Sequence, residues 1–138
     1  MTEVQVSCVD VAVPMVILPA HSLGTLADDS VESLNSNEEL KARLRSIWVQ
    51  AGLAMQLKKK GVLMTAHDLA TSETIPKVCL VSAPKNGGNI SVRYFTPQES
   101  HASLAVTGGC CLATACLIPG TVAHACASGL PAFVVASS

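Results

Sequence analysis

Residues 104–119 read LAVTGGCCLATACLIP, and this stretch decides the fold. A helix beginning near Thr107 and stopping at Pro119, which cannot continue one, carries apolar side chains on every side. Leu104, Val106, Leu112, Ala115, Leu117 and Ile118 leave it no polar face. Such a helix belongs in the middle of a domain, surrounded by strands.

The elements around it fit that role. Residues 4–19 read as two strands with a bend at Pro14: Val4, Val6 and Cys8 alternate with Gln5 and Ser7, and Val16, Ile17 and Leu18 form a run suited to burial on both faces. Residues 20–37 are rich in Ser, Asp, Asn and Gly and read as a surface connection that packs nothing. An amphipathic helix is expected over residues 38–59. Ser36 and Glu39 have capping-box spacing at its start. Leu40, Leu44, Ile47, Ala51 and Met55 form its buried stripe. Glu38 and Glu39 suit its positive end and Lys58, Lys59 and Lys60 its negative end, with Gly61 as the stop. Residues 75–83 and 90–95 read as a hairpin turning at Asn86 and Gly87. One outer amphipathic helix, several strands and one central helix make an α+β domain in which a mainly antiparallel sheet curls around the central helix.

Composition narrows the function. The 138 residues suffice for a single domain with one modest core. Hydrophobic residues make up 49% and charged residues 14%, a thin polar surface that implies an apolar patch expecting a partner. Nine basic and ten acidic residues give a net charge of -1 without a basic cluster, which excludes nucleic acid. Residues 100–138 contain no Asp, Glu, Lys or Arg, a length that could span a bilayer. Thr107, Gly108, Gly109, Thr114, Pro119 and Gly120 dilute it and no basic residue follows, so a membrane span is not the expectation. Cys8, Cys79, Cys110, Cys111, Cys116 and Cys126 show neither zinc-ribbon nor small-disulfide spacing and read as buried reduced thiols. With Glu3 and Asp10 early and no basic leader, the cytoplasm is the expected compartment.

The chemistry points to the start of the central helix. Thr107 can cap, and Gly108 and Gly109 leave the backbone N–H groups uncovered, so the tip can hold a carboxylate or phosphate without a basic side chain. The plainer reading is that Thr107 caps and the glycines allow close packing. His101, just before the helix, could contact a ligand at its mouth or lie on the surface. A helix start would lower the pKa of Cys110 or Cys111, but burial and the lack of a charged neighbour favour inert thiols. His124, Cys126 and Cys116 match no common metal spacing, and no metal is expected.

Several segments recur together in one order: DVAVPMV at residues 10–16, AGLAM at 51–55, PKV at 76–78, SAP at 82–84, SVR at 91–93 followed by His101, AVTG at 105–108, and IPGTV at 118–122. The ordered set, covering residues 4–123, resembles the PrpF-type family of 2-methylaconitate cis–trans isomerases and 4-oxalomesaconate tautomerases. The resemblance implies a diaminopimelate epimerase-like fold, in which two similar domains each wrap strands around a central helix and both helix starts face one cleft. It also implies a small unsaturated di- or tricarboxylate substrate bound at Thr107, Gly108 and Gly109, proton transfer next to the double bond, and no metal or organic cofactor. Val13 stands where the family has Asn, the GLP at residues 129–131 does not match the family's His-Pro-Ser-Gly, and the first domain with its acid–base Lys and Cys has no counterpart. Residues 1–138 are therefore expected to be a single, truncated second domain, an isomerase or tautomerase by descent and incompetent alone. The alternative is a non-enzymatic module that pairs through its apolar surface with itself as a homodimer or with a first-domain partner.

Overall fold

Met15, Val16, Ile17 and Leu18 are all completely buried, as are Cys79, Leu80 and Val81, and these two runs form the middle of the sheet. The computed structural model describes residues 4–24, 30–84, 89–101 and 103–127. Its elements are β1 (Ser7–Val11), β2 (Val13–Pro19), a 3-10 turn (Ala20–Leu23), α1 (Val31–Asn35), α2 (Glu38–Ala54), β3 (Lys58–Lys59), β4 (Val62–Leu63), α3 (Ala66–Thr71), β5 (Lys77–Ser82), β6 (Ser91–Phe95), β7 (Ser100–His101), α4 (Val106–Cys116) and α5 (Val122–Cys126). The main sheet has the order β1-β2-β5-β6-β7. Only β2 and β5 pair in parallel, with Val16 beside Val78 and Leu18 beside Leu80; the other pairings are antiparallel. A parallel pair needs a long crossover, and residues 20–76 supply it with α1, α2 and α3.

Strand alternation divides the core in two. Val16, Leu18, Val78, Leu80 and Phe95 face α1 and α2, where Leu34 of α1 and Leu40, Leu44, Trp48 and Ala51 of α2 cover them. Met15, Ile17, Cys79, Val81 and Tyr94 face α4 and α5, where Cys111, Leu112, Ala115, Cys116 and Ala123 cover them. The α+β class, the mainly antiparallel sheet, the outer amphipathic helix and the central helix are all present, with the two helices on opposite faces.

Several local expectations are corrected. The bend between the first strands falls at Ala12, with φ of 65°, and Pro14 lies inside β2 paired with Asp10. The polar connection does pack: Ala20 and Leu23 are buried, and α1, capped by Ser30 accepting from Ser33 N at 3.1 Å, buries Leu34. Asn35 then fastens α1 to the edge strand β7. Its Oδ1 accepts from Ser100 N at 2.8 Å and from Ser100 Oγ at 3.1 Å.

Helix α2 ends at Ala54, not at residue 59. Gln56 takes φ of 55°, and Lys60 and Gly61 turn a two-residue hairpin with φ of 53° and 79°, so Gly61 serves β3 and β4 and does not stop the helix. The lysine run is thus a strand and turn. Asn37, not Ser36, caps α2, accepting from Leu40 N at 3.0 Å. Trp48 takes the stripe position expected of Ile47, which is only partly buried. The turn residues 85–88 of the 75–95 hairpin lie outside the described residues, but β5 and β6 pair antiparallel as expected, with Ser82 opposite Ser91.

Helix α4 starts at Val106, and its expected burial on all sides is found on one face only. Cys111, Leu112, Ala115 and Cys116 are buried against the sheet, whereas Val106, Cys110, Ala113 and Leu117 point outward and are exposed. The described sheet supplies a single wall, so the far side of the helix has no cover among the described residues.

Contact between α2 and α3 depends on Trp48 and Gly52. The buried indole Nε1 donates to Leu69 O at 2.8 Å, and a Cβ at Gly52 would meet the Leu69 side chain at 2.6 Å. Trp48→Phe removes the donor and opens a small void, and we expect a loss of about 2–4 kcal/mol in urea unfolding followed by circular dichroism.

Candidate functional site

The start of α4 differs from every other α-helix start among the described residues. Ser30, Asn37, Thr65 and Thr121 cap α1, α2, α3 and α5 with their side chains. The α4 cap is Ala105, extended at φ -66° and ψ 153°, which has no side-chain acceptor to offer. The first helical bond runs from Gly109 N to Ala105 O at 2.7 Å. The N–H groups of Val106, Thr107 and Gly108 precede it and have no acceptor in the helix. Thr107 is therefore not the cap expected from the sequence; it sits in the first turn with its side chain exposed.

The two glycines have different roles. A Cβ at Gly108 would stand 2.6 Å from Tyr94 Cε1 and 3.1 Å from Tyr94 Oη, so only glycine lets the ring lie against the helix there. A Cβ at Gly109 would meet nothing nearer than Leu104 Cδ2 at 3.6 Å, an ordinary contact. Close packing thus explains Gly108 and leaves Gly109 free.

Beside this tip the edge of the sheet contributes β6 and β7. His101 lies directly opposite Tyr94 in the antiparallel register, which puts both side chains on the α4 face of the sheet. The His101 ring is exposed and engaged elsewhere: Nε2 lies 2.7 Å from Thr96 Oγ1, and Arg93 Nη1 donates to His101 O at 3.3 Å. Tyr94 therefore stands between the two sites expected from sequence, against Gly108 on one side and across the strand pair from His101 on the other.

Sequence reading passed over Tyr94. It lies in β6 and is 3% exposed. The fold adds that its buried hydroxyl has no hydrogen-bond partner among the described residues.

Cys111, the buried thiol near the tip, is not poised for attack. Cys111 is buried and donates its S–H to Val9 O at 3.4 Å, and burial raises its pKa above the ordinary thiol value. Burial likewise raises Cys116 and Cys126. Cys110 is exposed on the outward face of α4. Cys8, expected to be buried, is exposed as well. No group of three or more His, Cys, Asp or Glu side chains is gathered to hold a metal among the described residues, and no helix there is long and apolar enough to cross a membrane.

The PrpF protein family matches residues 1–135. The chain is 40% identical over 125 residues to the 4-oxalomesaconate tautomerase of Pseudomonas putida, covering 91% of this chain and 32% of that protein. It is 36% identical over 118 residues to the (4E)-oxalomesaconate Delta-isomerase of Novosphingobium sp., covering 86% of this chain and 30% of that one. The crystal structure of a methylitaconate-delta-isomerase superposes with a TM-score of 0.81 at 23% identity, over 92% of this chain and 35% of the other. The chain therefore spans about a third of the length of these relatives.

The contrast between the glycines gives a direct test. Gly108→Ala should cost about 1–3 kcal/mol through overlap with the Tyr94 ring. Gly109→Ala should be neutral or gain up to about 1 kcal/mol from helix propensity. Thermal unfolding of both variants by circular dichroism checks the pair.

Proposed function

Because the chain belongs to the PrpF protein family, we propose that the start of α4 is one wall of a proton-transfer site for a small unsaturated di- or tricarboxylate. The observation that carries this reading is the uncapped helix tip, where the N–H groups of Val106, Thr107 and Gly108 have no acceptor among the described residues, in a segment without a basic side chain. Free amides at the positive end of a helix bind a carboxylate. They do more when a proton leaves the carbon next to that carboxylate, because the negative charge that develops on its oxygens falls on donors already in place. The resulting delocalised carbanion can take its proton back at another position, which moves the double bond or exchanges cis for trans. This chemistry asks for a base and an acid and for no metal or organic cofactor.

Residues 1–138 are read as a single domain that forms part of the second lobe of such an isomerase or tautomerase, working in the cytoplasm. His101 lies at the mouth of the site, while the acid–base groups come from the opposite lobe. Binding and turnover are then separable. The chain alone should bind itaconate with a Kd on the order of 1 mM, shifting the amide resonances of Val106, Thr107 and Gly108, and should catalyse no isomerisation. Thr107→Trp, which covers the tip, should weaken binding at least tenfold. Amide shifts that do not respond to itaconate, or respond equally in the Thr107→Trp chain, would overturn this reading.

One observation favours a second reading, a module that pairs without catalysis. The outward face of α4 carries Val106 at 83% exposure, with Leu104, Leu117 and Ile118 each near 40%, and no charge. An apolar surface of this kind marks an interface, with a second copy or with a first-domain partner. Sedimentation velocity should show association that Val106→Asp combined with Leu117→Glu abolishes; a parent chain that stays monomeric, with and without a first-domain polypeptide, removes this reading.

A further inference from the structure

Tyr94 is only 3% exposed, yet its hydroxyl has no hydrogen-bond partner among the described residues. Buried hydroxyls in native proteins are nearly always paired, and the exceptions ask for an explanation. The surroundings of this one suggest what is missing. Its oxygen lies 3.1 Å from where a Cβ of residue 108 would be, and glycine leaves that space without a side chain. Gly108 N–H is itself one of the donors at the start of α4 that have no acceptor in the helix. A phenol and an amide, both able to donate and both without an acceptor among the described residues, thus lie beside the same residue, Gly108. The neighbours on that face offer no relief. Thr96 and His101 are bonded to each other, Cys111 donates to Val9 O, and Cys79 is a buried thiol.

We propose that Tyr94 is a binding residue of the helix-tip site, its hydroxyl donating to an oxygen of the carboxylate that the α4 amides hold. The proposal rests on the reading of the tip as a carboxylate site and adds a side-chain donor to it. Hydrogen bonds of this kind are often unformed before the ligand arrives and tighten in the complex. A donor at the side of the tip, in addition to those along the helix axis, fixes the plane of the carboxylate as well as its position. Burial raises the Tyr94 pKa, which keeps the phenol protonated and able to donate.

Tyr94 is the only tyrosine of the chain, so its ring-proton magnetic resonances, unlike the near-ultraviolet absorption shared with Trp48, report this group alone. Itaconate should shift those resonances in the parent chain. Tyr94→Phe, which keeps the ring against Gly108, should bind itaconate about tenfold more weakly and, without ligand, melt at the parent temperature or above it, because an unpaired hydroxyl has been removed. Three results would overturn the proposal while leaving the helix-tip reading intact: equal binding by Tyr94→Phe, a parent chain that binds without a tyrosine signal, or a lower melting temperature for the variant, which would make the hydroxyl structural. A parent chain that binds no itaconate overturns both.

Discussion

The parallel pairing of β2 with β5 is the constraint from which the rest of the structure follows. Both strands are buried on both faces, so neither face can be left to water, and each must receive a cover. The crossover that makes them parallel delivers α2 to one face. The chain that returns through β6 and β7 delivers α4 to the other. Each buried Leu, Ile or Met on these strands contributes roughly 1.5–3 kcal/mol relative to exposure. Contact between Leu112 or Ala115 and β2 is therefore what holds α4, and with it the tip, at a fixed height over the sheet. The site inherits its rigidity from the central strands.

Those strands were also the most legible part of the sequence. Val16, Ile17 and Leu18 announce burial on both faces, and residues 75–83 with 90–95 announce a hairpin, because local composition and tertiary role agree there. The errors cluster where two elements compete for the same residues. Gly61 is as good a helix stop as a hairpin turn, and only the pairing of Lys59 with Val62 decides for the turn. Leu23 and Leu34 are isolated in a polar stretch, so no period marks them, yet each finds a place in the core beside α2. In α3, Thr65 and Asp68 do form a reciprocal capping box, a signal present in the sequence and passed over.

At the start of α4 the sequence located the element and misjudged its details. Thr107, Gly108 and Gly109 do open the central helix, but a cap belongs one residue before the first helical one, and that is Ala105. The difference has physical weight. Replacing a capping Ser, Thr, Asp or Asn by Ala costs about 0.5–2 kcal/mol, and α4 bears that cost while α1, α2, α3 and α5 each have a side-chain cap. His101 was linked to the tip through its place in the sequence; in the fold it pairs with Tyr94, whose ring packs against Gly108. Nothing in a single sequence distinguishes a tyrosine whose hydroxyl is satisfied from one whose hydroxyl is not.

The outward face of α4 completes the picture of a helix whose sequence expects more surroundings than the described chain supplies. A helix lying on a globular surface normally turns charged and polar residues to water, whereas the exposed positions here are Val106, Thr107, Cys110, Ala113 and Leu117. Among the described residues, the helix lacks acceptors at its tip for its amides and for the neighbouring phenol, and lacks contacts along its flank for its apolar side chains. The two deficits call for different chemistry. A carboxylate can answer the first and only packed side chains the second, so binding a ligand at the tip would leave the flank as exposed as before. Covering the flank, in turn, would exclude water beside the tip and strengthen every hydrogen bond made there, since donors act more strongly at low dielectric. In this fold any chain that covered α4 and any carboxylate bound at its start would therefore reinforce one another.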